Sequence, residues 1–146
     1  MNIVYVSSEA APFIKTGGLA DVAGSLPKAI RKKGQKISLV LPLYSQIDDK
    51  YREKMVKVKH FYVDLQWRHI YAGVFRYEDD ELDVYFIDNE YYFKREGLYG
   101  HFDDGERFTF FNKAVCQLLK ELELKPDIVH ANDWHTGLLP LYIKDF

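Results

Sequence analysis

The sequence predicts an α/β domain, a doubly wound parallel sheet with an antiparallel hairpin inserted into it. Three observations carry that expectation. Four short runs, Ile3–Val6, Ile37–Leu41, Leu82–Ile87 and Asp127–Ala131, are rich in Val, Ile, Leu or Tyr and bounded by polar, Gly or Pro residues, the pattern of strands covered on both faces. Amphipathic segments at helical spacing alternate with them, which implies right-handed crossovers within one sheet. Between Val56 and Tyr77 apolar and polar residues instead alternate over two stretches parted near Gln66-Trp67-Arg68, as in an antiparallel pair. At 146 residues the chain fits one domain with one core.

The first strand begins almost at once, because Met1-Asn2-Ile3-Val4-Tyr5-Val6 has neither the basic start nor the long apolar stretch of a signal peptide. Leu19, Val22, Ala23, Leu26, Ala29 and Ile30 then form the stripe of a first helix. Arg31-Lys32-Lys33-Gly34 closes it with positive charge at the negative end of the dipole and a glycine stop. Pro27 is expected to kink it. After the second strand, the hairpin and the third strand comes Tyr91–His101, a long loop with Gly97 and Gly100 among aromatics. Phe108, Phe111, Val115, Leu118, Leu119 and Leu122 share one face of a second helix, opposite Lys113, Gln117, Lys120 and Glu121. Asp103 or Asp104 is placed to cap it and Lys125-Pro126 to end it. The fourth strand leads into a last helix that runs to Phe146.

Composition removes several function classes. Twenty Lys plus Arg against 22 Asp plus Glu give a net charge of −2, so no cationic field is available to draw nucleic acid or anionic lipid. No apolar run approaches the roughly 18–20 residues that cross a bilayer. The single cysteine, Cys116, stands among Ala114, Val115, Leu118 and Leu119 and reads as a buried structural thiol, and a chain without disulfides suits the reducing cytoplasm.

In a doubly wound sheet ligands bind outside the carboxyl ends of the strands, which selects the segments after Val6 and after Val129. The first, Ser7 to Leu19, sets Lys15 and the pair Gly17-Gly18 before a helix. Unpaired N–H groups and the positive dipole end make an anion site there, with Lys15 as a point charge. The alternative is a glycine loop that merely enters a helix beside a solvated lysine. Neither the dinucleotide nor the P-loop fingerprint is met. The second segment, His130-Ala131-Asn132-Asp133-Trp134-His135, crowds polar groups against an aromatic. That suits a sugar, whose hydroxyls need donors and acceptors and whose C–H face needs an apolar wall. A metal set of His130, Asp133 and His135 has no recognised zinc spacing, and Asp133 as a helix cap with Trp134 in the core is the structural alternative.

Together these segments resemble the bacterial glycogen synthases and plant starch synthases, retaining glucosyltransferases of the GT-B fold. The resemblance runs from Ser7-Ser8-Glu9 and Lys15-Thr16-Gly17-Gly18-Leu19-Ala20-Asp21-Val22 through Leu26-Pro27-Lys28-Ala29, Gly34, Leu41-Pro42, Tyr44 and Arg107-Phe108 to Pro126-Asp127-Ile128-Val129-His130 and Asn132-Asp133-Trp134-His135. It implies that residues 1–146 are an incomplete Rossmann-like N-terminal domain, with the second GT-B domain absent. It implies ADP-glucose as donor, an α-1,4-glucan such as glycogen as acceptor, and neither metal nor cofactor. By the same resemblance Lys15, Gly17 and Gly18 contact the diphosphate and His135 is the catalytic residue on the transferred glucosyl unit. Glu9, Asp21 and Tyr92 lie near the sugar or acceptor end of the cleft, and Asp133 also binds ADP-glucose. Asp103-Asp104-Gly105-Glu106 departs from the family pattern, so no site residue is assigned there. The isolated chain is expected to be inactive. The rival readings are a non-catalytic glucan-binding or interaction module, another nucleotide-binding α/β protein, and a sucrose-cleaving or phosphorolytic GT-B enzyme.

Overall fold

The computed structural model describes residues 1–78 and 82–145. In chain order the elements are β1 (Asn2–Val6), α1 (Gly18–Lys32), β2 (Lys36–Pro42), α2 (Asp49–Arg52), β3 (Val56–Leu65), β4 (Arg68–Glu78), β5 (Asp83–Asp88), α3 (Glu90–Phe93), α4 (Asp104–Glu121), β6 (Ile128–Ala131), a 3-10 turn (Trp134–Thr136) and α5 (Leu139–Asp145). The expected end of the last helix at Phe146 lies outside the described residues. One six-stranded sheet has the order β3-β4-β5-β2-β1-β6. β5, β2, β1 and β6 are parallel, while β4 pairs antiparallel with both β3 and β5. The hairpin inserted in sequence therefore extends the sheet at one edge.

Tyr5 and Val6, successive strand residues that point to opposite faces, are both fully buried. The sheet is covered on both sides, as its continuous apolar runs required. The hairpin is one-sided: Phe61, Val63 and Leu65 are buried and His60, Tyr62 and Asp64 are exposed. The crossovers β1-α1-β2 and β5-α4-β6 leave in opposite directions, so right-handedness sets α1 and α4 on opposite faces. The point where the direction reverses lies between β1 and β6, and the crevice it opens is at their carboxyl ends.

Several local expectations shift. α1 runs unbroken through the buried Pro27. α4 ends at Glu121, short of Lys125-Pro126, and the chain turns away at Glu123 with φ +52°. Neither Asp103 nor Asp104 caps α4 as expected. Asp103 makes a bidentate pair with Arg95, and Asp104 accepts the Gly100 amide at 2.8 Å. The expected loop after β5 opens with the helical turn α3, which Asn89 caps through the Tyr92 amide. Cys116 is buried as expected, and burial pushes its thiol up to about 11.

Gly24 shows how closely α1 approaches the loop after β1. A Cβ built there would lie 2.5 Å from the Ala11 carbonyl oxygen, and the Ala11 amide donates to the Ala20 carbonyl at 2.9 Å. Alanine favours a helix interior by about 1 kcal/mol over glycine, but a backbone clash cannot be relieved by a rotamer. Gly24→Ala is expected to destabilise the fold by about 1–3 kcal/mol in urea unfolding. A stabilised variant would show that α1 can shift away from Ala11.

The two edges of the sheet differ. β3 carries Lys57 and Lys59 and a register shift between them, devices that discourage pairing with another strand. β6 leaves Ile128 exposed and borders an apolar groove of about 500 Å³ against Leu119, Leu139, Pro140 and Ile143. Among the described residues no helix is long and apolar enough to cross a membrane.

Candidate functional site

The crevice between β1 and β6 gathers three segments: the loop Ser7–Gly17, the turn Asn132–Gly137 and the loop that ends in His101. Asn132 ties the turn to the end of β1 by donating its side-chain amide to the Val6 carbonyl at 2.8 Å. Tyr99 ties the third segment to both others. Its hydroxyl donates to Glu9 Oε1 at 2.8 Å and lies 2.7 Å from Ser8 Oγ, which must then be the donor in that contact. Its ring centroid is 4.5 Å from that of His135. Sequence reasoning missed Tyr99, although Gly97 and Gly100 on either side, both at positive φ, mark a backbone bent to present it.

Lys15 pairs with Asp21 at 2.8 Å, with both side chains more than half exposed. Pairs this open contribute little to stability, so the ammonium is free to exchange its carboxylate partner for a phosphate. Gly17 and Gly18 begin α1 with open space where a Cβ would stand, so neither packs against a neighbour. Gly18 and Leu19 hold the first two amides of the helix, where N–H groups lack intrahelical partners.

Glu9 is 3% exposed and acts as a brace. Its carboxylate accepts the Thr16 amide at 2.6 Å, the Thr16 hydroxyl at 2.7 Å and the Gly17 amide at 3.3 Å, besides Tyr99. Burial pushes its carboxyl up, but these donors outweigh it and hold the group below its usual value. Glu9, expected at the sugar end, thus fixes the glycine loop from beneath. Tyr92, also expected at the sugar end, is fully buried against Phe110 and Phe93 and belongs to the core.

The two histidines of this segment differ in burial. His130 is only half-buried, because β6 is an edge strand, and its ring packs on Tyr5. His135 is 4% exposed, with its ring against Trp134, Phe108 and Tyr99. Neither nitrogen of His135 has a partner among the described residues. Burial holds its imidazole below the usual value, against the opposing pull of Asp133, Glu9 and Asp104. A neutral ring offers one donor and one acceptor, the pair a sugar hydroxyl takes. Asp133 caps the 3-10 turn through the Trp134 amide at 2.7 Å, and does not cap the last helix. Trp134 is 55% exposed, so it stands as a wall and is not core. Among the described residues no group of three His, Cys, Asp or Glu is placed to hold a metal ion.

Comparison with known proteins gives the chain a family. Residues 2–146 match the family described as starch synthase catalytic domain. The chain is 50% identical over 144 residues to a glycogen synthase of Clostridium botulinum (strain Alaska E43 / Type E3), covering 99% of this chain and 30% of that protein. It is 51% identical over 146 residues to a glycogen synthase of Finegoldia magna, covering 100% of this chain and 31% of the relative. The catalytic domain of starch synthase IV from Arabidopsis thaliana, bound to ADP and acarbose, superposes with a TM-score of 0.88 at 31% identity, over 97% of this chain and 30% of that one. The chain thus spans about 30% of the length of these relatives. With its whole length matched, the chain belongs to the starch synthase catalytic-domain family.

Proposed function

We propose that this chain forms the acceptor-side wall of a cytoplasmic, ADP-glucose-dependent glycogen or starch synthase, which moves glucose to the non-reducing end of an α-1,4-glucan. The observation that carries the reading is the meeting, through Tyr99, of a glycine-lysine helix start with a buried, unpartnered imidazole. Lys15 and the amides of Gly18 and Leu19 take the donor diphosphate, with Gly17 leaving room for its approach. Asp21 holds Lys15 until phosphate displaces it. His135 orients the glucosyl unit and Trp134 covers its apolar face, while Asp133 shapes the turn that carries both. Charge developing on the leaving diphosphate is stabilised by donors already in place, which is the chief source of rate in such a cleft. A second GT-B domain supplies the opposite wall and further cations, so this chain alone transfers no glucose.

The experiment is twofold. In a polypeptide of the relatives' full length, Lys15→Ala is expected to lower kcat/KM for ADP-glucose roughly 10- to 100-fold, the worth of one charge-assisted contact, with unchanged thermal stability. Unchanged donor kinetics would sink the assignment. The 146-residue chain incubated with ADP-glucose and glycogen is expected to extend no glucan. Measurable extension would show that one wall suffices.

A further inference from the structure

The apolar stripe of α4 is interrupted by an amide. Asn112 follows Phe108 by one helical turn and precedes Val115 on the same face, yet it is polar and only 2% exposed. An asparagine is a poor residue for a helix interior and a costly one to bury without partners. Side chains that break the local pattern inside a well-formed element are where function is to be sought.

Its contacts give the reason. The Asn112 Nδ2 group donates to the Phe108 carbonyl one turn back and to the His135 carbonyl at 2.7 Å. Two carbonyl acceptors fix which end of the amide is nitrogen. The bond to His135 reaches from α4 to the 3-10 turn that carries this histidine. That turn needs bracing. Asp133, at its start, sits at φ +63° and ψ −175°, a region costly for any residue but glycine and kept only where the surroundings over-determine it. Thr136 Oγ1 closes on the Asn132 carbonyl at 2.7 Å, and Asn132 grips the end of β1. These braces lie within the turn or reach β1. Asn112 adds a hydrogen bond from α4, on His135 itself.

We propose that Asn112 is a positioning residue for His135, acting through the histidine's backbone carbonyl to hold the imidazole at the crevice with its two nitrogens unpaired. The role deepens the proposed function, since it rests on His135 as the ligand-facing ring. An apolar residue of similar volume would pack on the α4 stripe equally well, so packing alone does not call for an amide at this position.

The test uses the 146-residue chain labelled with ¹⁵N. Ring nitrogens of His135 and His130 are titrated by NMR in the wild type, in Asn112→Leu, which keeps volume but not the donor, and in Asn112→Ser, whose hydroxyl is too short to span the gap. In either variant His135 is expected to titrate higher, toward the ordinary value of ~6.5, as its ring loosens into solvent near Asp133, Glu9 and Asp104. His130 should keep its wild-type titration. A His135 titration unchanged in both variants overturns the proposal whatever the melting temperature does, and so does an equal change at His130, which would mean general loosening. ADP-glucose at millimolar concentration separates the two readings. If the wild-type His135 ring does not respond to it, the sugar-facing role fails, while the effect of Asn112 on the ring stands or falls on the titration.

Discussion

Arg107→Met is expected to remove about 3–5 kcal/mol of stability, the cost of leaving a buried ion pair with one partner. Whole domains of this size hold about 5–15 kcal/mol, so the variant would sit near the edge of folding. The Arg107 side chain has no exposed surface. Its Nε donates to the Tyr92 carbonyl at 2.8 Å, and its Nη1 donates to the Leu98 carbonyl at 2.9 Å and to Asp104 at 2.8 Å. The guanidinium also lies over the rings of Phe93 and Phe108. Methionine keeps much of the packing and none of the donors, so the Tyr92 and Leu98 carbonyls lose the guanidinium and the Asp104 carboxylate loses its cation, keeping only backbone amides. Because Tyr92 and Leu98 bracket the loop that presents Tyr99, the site should loosen before the sheet does. Urea unfolding followed by circular dichroism measures the loss, and a change below about 1 kcal/mol, the net worth of one ordinary hydrogen bond, would show that water or a neighbour replaces the guanidinium.

His135→Ala carries the second large effect. In a polypeptide of the relatives' full length, turnover is expected to fall roughly 10²- to 10³-fold, as when one preorganised donor is removed from a reacting centre. Stability should fall only by the packing of the buried ring on Trp134, Phe108 and Tyr99, because the imidazole nitrogens have no partner among the described residues. His130→Ala should do the reverse on a smaller scale: it loses the ring contact with Tyr5 on a half-covered strand and leaves turnover near wild type. Comparing kcat with melting temperature for both variants decides between them. Turnover that survives in His135→Ala but not in His130→Ala would exchange their roles.

Much of the fold was legible because its signals are local. The parallel strands announced themselves as short apolar runs, and both long helices as stripes with basic residues toward their carboxyl ends. The hairpin followed from the alternation around Trp67, which stands 86% exposed at its tip. What escaped depends on distant partners. Nothing near Glu9 in sequence says that Tyr99, ninety residues away, will complete its shell. Nothing near Asn112 says that a carbonyl of the last turn needs a donor. Asp103 and Asp104 have the chemistry of a helix cap, but Arg95 and the Gly100 amide compete for them and win.

The unequal edges of the sheet give the fold a direction of growth. At β3 the lysines and the register shift make the outer backbone a poor template, so the sheet is closed on that side. At β6 the outer backbone runs beside an apolar groove shaped by α4 and α5, into which a further strand and its crossover helix can settle with side chains to meet them. Addition there leaves the crevice between β1 and β6 undisturbed, because the new strand lies beyond it. The crevice is therefore framed by the β1–β6 pair, and the sheet can lengthen in one direction without altering it.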